Sequence, residues 1–130
     1  DIGPETRNSK RSASQFIDGG AYMGVGTDAA SPLNMHNEAM WREMSALVES
    51  GMTPIQVISA ATKTNAEILG QFDELGTIEP GKLADIIIVD GDPFRNIEVL
   101  DHVDIVINDG GVWYSEGAAY GPVTEIGHAF

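Results

Sequence analysis

One carboxylate in this sequence, that of Asp28, stands where reacting groups and ligands collect in α/β proteins. It closes the stretch Ala21–Asp28, whose apolar residues and glycines predict a short strand over Tyr22–Gly26. Ligands gather at the carboxyl ends of such strands, so Asp28 is a candidate site residue. The alternative is that Asp28 only caps the next turn or helix, and this stretch taken alone favours that alternative.

Three histidines, His36, His102 and His128, are the other candidate groups. None of them forms a His-x-His or His-Glu-x-x-His motif. His36 follows Asp28 on the side from which a substrate would approach, which makes it a candidate substrate contact. We favour an exposed loop histidine near a helix N-terminus instead, and we expect His102 and His128 to be surface residues. No residue is predicted to bind an organic cofactor.

Composition excludes several classes of partner. The formal charge of −13 repels nucleic acid and anionic lipid, since phosphate binding needs clustered lysine and arginine. The chain lacks cysteine, so disulfides and thiolate metal sites are excluded. It has no apolar run long enough to cross a membrane. No leader opens the sequence, so a secretory signal is absent or was removed; the compartment is left open, with a cytoplasmic location favoured.

Helix signals on both sides of Asp28 predict the elements that would position it. Residues 8–17 are predicted to be helical, and the helix ends at Gly19. A second helix is predicted to begin at an N-cap, Asn37, and to carry one apolar stripe. Thr53 followed by Pro54 predicts the start of a third helix.

A further helix start is predicted at Thr64. This residue precedes Glu67 by three positions, the spacing of a capping box, and a short helix is predicted over residues 65–69. We interpret Thr62, Thr64 and Asn65 as capping residues and not as ligands.

The second half of the chain has the pattern of strands and tight turns. A type II turn is predicted over residues 79–82, where proline precedes glycine. The β-branched run at 84–89 predicts a strand covered on both faces. Residues 103–107 and 112–114 are predicted to form a hairpin around an Asp-Gly turn.

Short motifs follow one another through the chain in a specific order: Gly26-Thr27-Asp28, Gly51-Met52-Thr53-Pro54, Ala60-Ala61-Thr62, Asn65-Ala66, Leu69-Gly70, Gly76-Thr77-Ile78-Glu79-Pro80-Gly81-Lys82-Leu83-Ala84-Asp85-Ile86 and Asp90-Gly91-Asp92-Pro93. Over residues 13–114 this series resembles the C-terminal part of a metal-dependent amidohydrolase. The subgroup it resembles most is imidazolonepropionase-like and Xaa-Pro dipeptidase-like.

The resemblance implies an α/β fold. Residues 1–75 would form the last βα unit and helices of a (β/α)₈ TIM-type barrel, 76–115 part of a small composite β-sandwich, and 116–130 a tail. A complete barrel needs about 250 residues. We therefore expect this chain to be a fragment, inactive by itself, that is completed by the missing N-terminal part of the barrel or by a second copy in a homo-oligomer.

The resemblance also implies a role for Asp28. The family binds one or two divalent metals, usually zinc, and Asp28 corresponds to its aspartate after the eighth strand. Asp28 would then be a metal ligand that takes a proton from the water activated by the metal and passes it to the leaving nitrogen. Zinc needs three or four protein ligands, so the others must lie elsewhere.

The implied reaction is hydrolysis of a C–N bond in a small-molecule or dipeptide substrate. A dipeptidase or carboxypeptidase is the first expectation, cyclic amide hydrolysis as in imidazolonepropionase the second, and deamination the third. The alternative from another class is a non-catalytic β module with a helical layer.

Overall fold

A computed structural model describes residues 4–29 and 38–115 of the 130-residue chain. The helices and strands in chain order are α1 (Pro4–Asp18), α2 (Ala39–Glu49), α3 (Pro54–Ser59), a π-helical turn (Ala60–Thr64), α4 (Asn65–Ile68), β1 (Ile86–Ile88), a 3₁₀ helix (Ile97–Asp101), β2 (Ile105–Asn108) and β3 (Gly111–Ser115). None of the helices in these ranges is long and apolar enough to cross a membrane.

The two helices around the candidate residue are present where they are predicted, with different ends. Helix α1 begins at Pro4, earlier than predicted, and α2 begins at Ala39. The predicted cap, Asn37, lies outside the described residues. The hydroxyl of Ser14 donates to the carbonyl oxygen of Ser50 at 2.7 Å, which joins α1 to the end of α2.

The start of α3 confirms the prediction at Thr53 and Pro54. The Thr53 N–H donates to Oε1 of Gln56 at 2.8 Å, and the Gln56 N–H donates to Oγ1 of Thr53 at 3.4 Å. This reciprocal pair is a capping box, in which two otherwise free N–H groups at the helix start are satisfied.

The short helix predicted over residues 65–69 is present as α4, but the capping box predicted at Thr64 is wrong. Thr64 has helical backbone angles, with φ −64° and ψ −39°, and its side chain makes no cap hydrogen bond. Helix α3 continues through the π turn into α4 without a break, and residues 54–68 together are called the long helix. Because the N–H groups here already have carbonyl acceptors from the preceding turns, there is no free donor for a capping box with Glu67 to satisfy.

The predicted strand over Tyr22–Gly26 is also not formed. Residues 21–28 have no strand partner within the described ranges. A strand is defined by its hydrogen-bonded neighbours, and at Val25 a side chain occupies the place of such a neighbour, as described below.

The core joins the helices to the second half of the chain. Val57 on α3 is completely buried, and Ile97 of the 3₁₀ helix belongs to the same cluster. The buried members of this cluster are Val25, Met44, Leu47, Val57, Ala60 and Ile97. Through Val25, the segment before Asp28 is therefore part of the core.

The second half contains a three-stranded antiparallel sheet in the order β1-β2-β3. Ile86 pairs with Ile107, and Val106 pairs with Tyr114. The register shifts between Val106 and Ile107, which marks a bulge. The predicted hairpin is confirmed.

Strand β1 is tied to the hairpin at its start and is open on its faces. The Asp85 carboxylate accepts hydrogen bonds from Nδ2 of Asn108 at 2.9 Å and from the N–H of Asp109 at 2.8 Å. The prediction that β1 is covered on both faces is not met within the described residues, because Ile87 and Ile88 are exposed. The apolar run at 84–89 forms a strand as predicted, limited to Ile86–Ile88, but the described residues do not cover both of its faces.

Lys82, whose side chain is only 9% exposed, holds the loop between α4 and β1. Nζ of Lys82 donates to the carbonyl oxygen of Phe72 at 2.6 Å and to Oγ1 of Thr77 at 2.7 Å, and it lies 3.7 Å from the centroid of the Phe72 ring. The type II turn is confirmed, since the Lys82 N–H donates to the Glu79 carbonyl at 3.2 Å and Gly81 has φ +94°.

The same loop passes so close to the helix that it requires a glycine. Replacing Gly76 with alanine would place the new Cβ 2.6 Å from Cβ of Ala66 and 3.1 Å from Cα of Lys63, at φ +93°. Overpacking costs about 1–3 kcal/mol and a left-handed residue about 1–2 kcal/mol. We expect Gly76→Ala to lower the free energy of unfolding of the full-length protein by about 2 kcal/mol or more, measured by urea denaturation.

Gly81→Ala is the matched control. Its φ of +94° is almost the same, but no atom lies within 4 Å of the added Cβ. It should therefore lose only the backbone term, about 1–2 kcal/mol. Equal losses for the two variants would contradict the close packing of the loop on the helix.

Candidate functional site

Asp28 is exposed and has an uncommon backbone conformation. Its φ is +45°, in the left-handed region, which aspartate tolerates better than most residues. Asp109 has a similar φ of +48°, but it lies in the hairpin turn, where such angles are expected. Within the described residues, Asp28 does not belong to a hairpin. Backbone angles of this kind occur in turns and also at functional sites.

The segment that leads to Asp28 is held by the side chain of Asn65. Oδ1 of Asn65 accepts a hydrogen bond from the N–H of Val25 at 3.0 Å, and Nδ2 donates to the carbonyl oxygen of Val25 at 2.8 Å. Nδ2 also lies 3.4 Å from the carbonyl oxygen of Ala61, one turn earlier in its own helix. One amide thus satisfies both backbone groups of a nearly buried residue.

The approach of the segment to the helix depends on Gly24. A Cβ at this position would lie 2.2 Å from Oδ1 of Asn65 and 2.8 Å from Cδ1 of Ile68. No real Cβ tolerates such distances, so only glycine fits while the Asn65 amide holds Val25. The prediction that the glycines of this stretch permit close approach is met at Gly24, whereas a Cβ at Gly26 would meet nothing within 4 Å.

A second hydrogen bond to the helix is made at the start of the segment. The hydroxyl of Tyr22 donates to the carboxylate of Glu67, two residues beyond Asn65. This hydrogen bond raises the pKa of Tyr22 above its ordinary value, and partial desolvation and the negative charge of Glu67 act in the same direction. A hydrogen bond from Thr64 opposes the shift. The end of the long helix therefore holds the segment at two points.

The role of Asn65 was missed in the sequence, where it is interpreted as a cap. Its side chain instead binds backbone 40 residues upstream. A local signal did exist, because asparagine is a weak helix former away from helix ends. Because the helix continues through Thr64, Asn65 lies inside a helix and not at its start. Its weak helix propensity then indicates a role for the side chain other than capping.

The histidines do not join Asp28 in the described structure. His36 and His128 lie outside the described residues, so the proposal that His36 contacts substrate stays a prediction. The side chain of His102 is 66% exposed and lies 3.8 Å from the Asp104 carboxylate, as expected for a surface residue.

The described residues do not form a metal site by themselves. Within residues 4–29 and 38–115, no group of three or more histidine, cysteine, aspartate or glutamate side chains could hold a metal ion. A carboxylate oxygen is a suitable ligand for a divalent metal, but zinc needs three or four protein ligands. Asp28 can therefore be at most one ligand of a site completed by other residues.

Comparison with known proteins gives consistent matches over most of the chain. The sequence model described as "Amidohydrolase family" matches residues 7–113. The imidazolonepropionase of Thermoplasma acidophilum is 35% identical over 108 residues, which are 81% of this chain and 26% of that protein. The 5'-deoxyadenosine deaminase of Methanobrevibacter smithii is 32% identical over 75 residues, 52% of this chain and 17% of that protein.

A solved structure agrees with these relatives. The crystal structure of a Xaa-Pro dipeptidase with methionine bound in its active site superposes with a TM-score of 0.75 and is 38% identical. The match covers 82% of this chain and 25% of that one. The chain thus spans about a quarter of the length of the imidazolonepropionases and of this dipeptidase.

The tie between Tyr22 and Glu67 is testable by titration. Glu67→Gln removes the carboxylate that raises the pKa of Tyr22, so we expect that pKa to fall towards its ordinary value of 10.0. NMR of the Tyr22 ring during a pH titration measures it. Because the folded-state pKa is raised, the contribution of Tyr22 to stability is complete below the unfolded pKa and is lost as the pH rises through the folded value.

Glu79→Gln is the control for this titration. It removes one negative charge from a glutamate that bonds Thr77 instead of Tyr22. It should leave the titration of Tyr22 unchanged. A Tyr22 pKa that is unchanged in Glu67→Gln would show that Tyr22 and Glu67 do not form this hydrogen bond in solution.

Proposed function

The chain belongs to the amidohydrolase family, and on that premise we propose that it is the C-terminal part of a metal-dependent hydrolase of C–N bonds. The relatives imply a TIM-barrel-containing α/β fold for the complete protein. In that fold this chain would contribute the last βα unit with its helices and part of a small composite β-sandwich. The observation that carries the proposal is the family match across residues 7–113, which includes Asp28 and the helix end that holds its segment.

We propose Asp28 as a metal ligand and proton carrier of that enzyme. Its carboxylate is exposed at the end of a segment whose preceding residues are tied to the core. The metal, when bound, would lower the pKa of the attacking water to about 7. Asp28 would take the proton of this water and deliver it to the leaving nitrogen, so that the amine departs in its neutral form.

The remaining ligands would come from outside the described residues. Zinc is the metal we propose, because the amidohydrolase family generally uses divalent metals and Asp28 offers an oxygen ligand that zinc accepts. The missing N-terminal part of the barrel is the first source for the other ligands, and a second copy of the chain is the alternative source.

The exposed apolar side chains agree with an incomplete unit. Leu69 is 71% exposed and Ile78 is 83% exposed. Burying apolar surface is worth about 25 cal/mol per Å². We propose that the rest of the barrel, or a second copy, covers these residues in the complete protein.

A dipeptide is the substrate we propose first. The support is the similarity to a Xaa-Pro dipeptidase, at 38% identity. A cyclic amide comes second, from the imidazolonepropionase relatives at 28–37% identity. Deamination comes third, because the deaminase similarity covers only 52% of this chain.

The role of Asp28 is testable in the full-length protein that contains this chain. Asp28→Asn keeps the size and the tolerance of a left-handed backbone but removes the negative charge and the proton acceptor. We expect hydrolysis of Xaa-Pro dipeptides to fall by at least about 100-fold, since acid–base catalysis contributes about 10²–10⁴. Bound zinc, measured by atomic absorption after dialysis, should fall as well.

Asp109→Asn is the matched control, an exposed aspartate with φ +48°. It should keep zinc and turnover. Full zinc content and full activity in Asp28→Asn would show the site assignment to be wrong. An unsubstituted protein without zinc, and without activity on a dipeptide, imidazolonepropionate or 5'-deoxyadenosine, would favour the non-catalytic β module.

A further inference from the structure

We propose that Asn65 is a positioning residue for Asp28, acting through the backbone of Val25. The inference rests on the proposed function, since the importance of Asp28 comes from there. Asn65 lies on a helix that follows Asp28 in the chain, and it binds the residue three positions before Asp28. The observation is that one side-chain amide accepts a hydrogen bond from the N–H of Val25 and donates one to its C=O.

This pair of bonds reproduces what a neighbouring strand would supply. In an antiparallel ladder, the N–H and C=O of one residue bond the same partner residue. Asn65 provides an acceptor and a donor at 3.0 and 2.8 Å with a single rigid amide. Val25 is only 7% exposed. Without Asn65, its backbone N–H and C=O would lose these hydrogen bonds, and no strand in the described ranges pairs with Val25 in its place.

Asparagine is the side chain that meets both requirements at this distance. Aspartate has two acceptors and no donor when ionised, so it would set a carboxylate against the Val25 carbonyl oxygen. Alanine offers neither group. The third contact, from Nδ2 to the Ala61 carbonyl oxygen at 3.4 Å, favours the orientation of the amide in which Nδ2 is the donor towards Val25.

The π turn determines where Asn65 points. Ala60–Thr64 is wound as a π helix immediately before Asn65. A π turn accommodates one additional residue, and one residue corresponds to about 100° of rotation around an α-helix. Without it, the residues after the turn would lie on a different face. Such turns are frequent at functional sites.

The effect on Asp28 is transmitted along three residues of chain. Asp28 has φ +45°, a conformation that persists only where the surroundings hold it. Asn65 immobilises Val25 from the helix, and Val25 packs in the core. If this hold is lost, the carboxylate can shift by about 1 Å, which is enough to reduce a rate by about 100-fold.

The test compares Asn65→Ala and Asn65→Asp with the unsubstituted full-length protein. The expected result is that kcat for a Xaa-Pro dipeptide, counted per zinc-loaded molecule, falls by about 10–100-fold, with KM changed by less than about threefold. The Val25 amide should also exchange its hydrogen faster. A residue with only a structural role would lower the folded fraction and leave kcat per loaded molecule unchanged.

Thr62→Val is the matched control. Thr62 lies in the same π turn, and its hydroxyl donates to the Ile58 carbonyl oxygen at 2.8 Å within the helix. This variant alters a side-chain bond of the turn without removing a bond to the segment. It should keep both kcat and the protection of the Val25 amide. A loss of kcat in Thr62→Val equal to that in Asn65→Ala would overturn the inference.

The outcomes separate this inference from the proposed function. Unsubstituted protein that neither binds zinc nor hydrolyses the substrates overturns both. An active unsubstituted protein with unchanged kcat per loaded molecule in the Asn65 variants overturns the positioning role alone. Where Asn65→Ala does not fold, Asn65→Asp, which keeps the acceptor for the Val25 N–H, decides the question in the same way.

Discussion

The contact between the Asn65 amide and the Val25 backbone is the interaction on which the described part of the molecule depends. It joins the segment before Asp28 to the end of the long helix, and Val25 carries that segment into the core with Val57 and Ile97. Gly24 is required by the same contact, because a Cβ there would collide with the amide. Several features that are separate in the sequence therefore have one physical cause.

This arrangement explains how a segment without strand partners in the described ranges keeps a defined backbone. Buried N–H and C=O groups need hydrogen-bond partners, and a sheet normally supplies them. At Val25 the helix supplies them instead, through one side chain. The segment can thus be anchored from the helix side, and its connection to the rest of a barrel has to be compatible with that anchor.

The family membership and the geometry are complementary kinds of evidence. The match over residues 7–113 concerns the order and type of residues, whereas the hydrogen bonds show how one helix end fixes the approach to Asp28. The chain spans about a quarter of the first relatives it matches, and on the proposed function its exposed apolar side chains would be surfaces of a larger unit. The residues that choose the substrate would belong to that unit.

Elements with strong local signals could be predicted from the sequence alone. The cap at Thr53, the glycine turn at residues 79–82 and the β2–β3 hairpin follow from hydrogen bonds and backbone angles that involve only neighbouring residues. The ordered motifs also determined the family, because they combine many weak local constraints.

Three features became evident only in the folded structure: the continuity of the helix through Thr64, the hydrogen-bond partner of Val25 and the need for glycine at position 24. In the sequence, an asparagine that caps a helix cannot be distinguished from one inside a helix. The difference depends on whether the preceding turn already satisfies the backbone N–H groups and on which residue the side chain contacts. For Asn65 that contact is Val25, 40 residues away in the sequence.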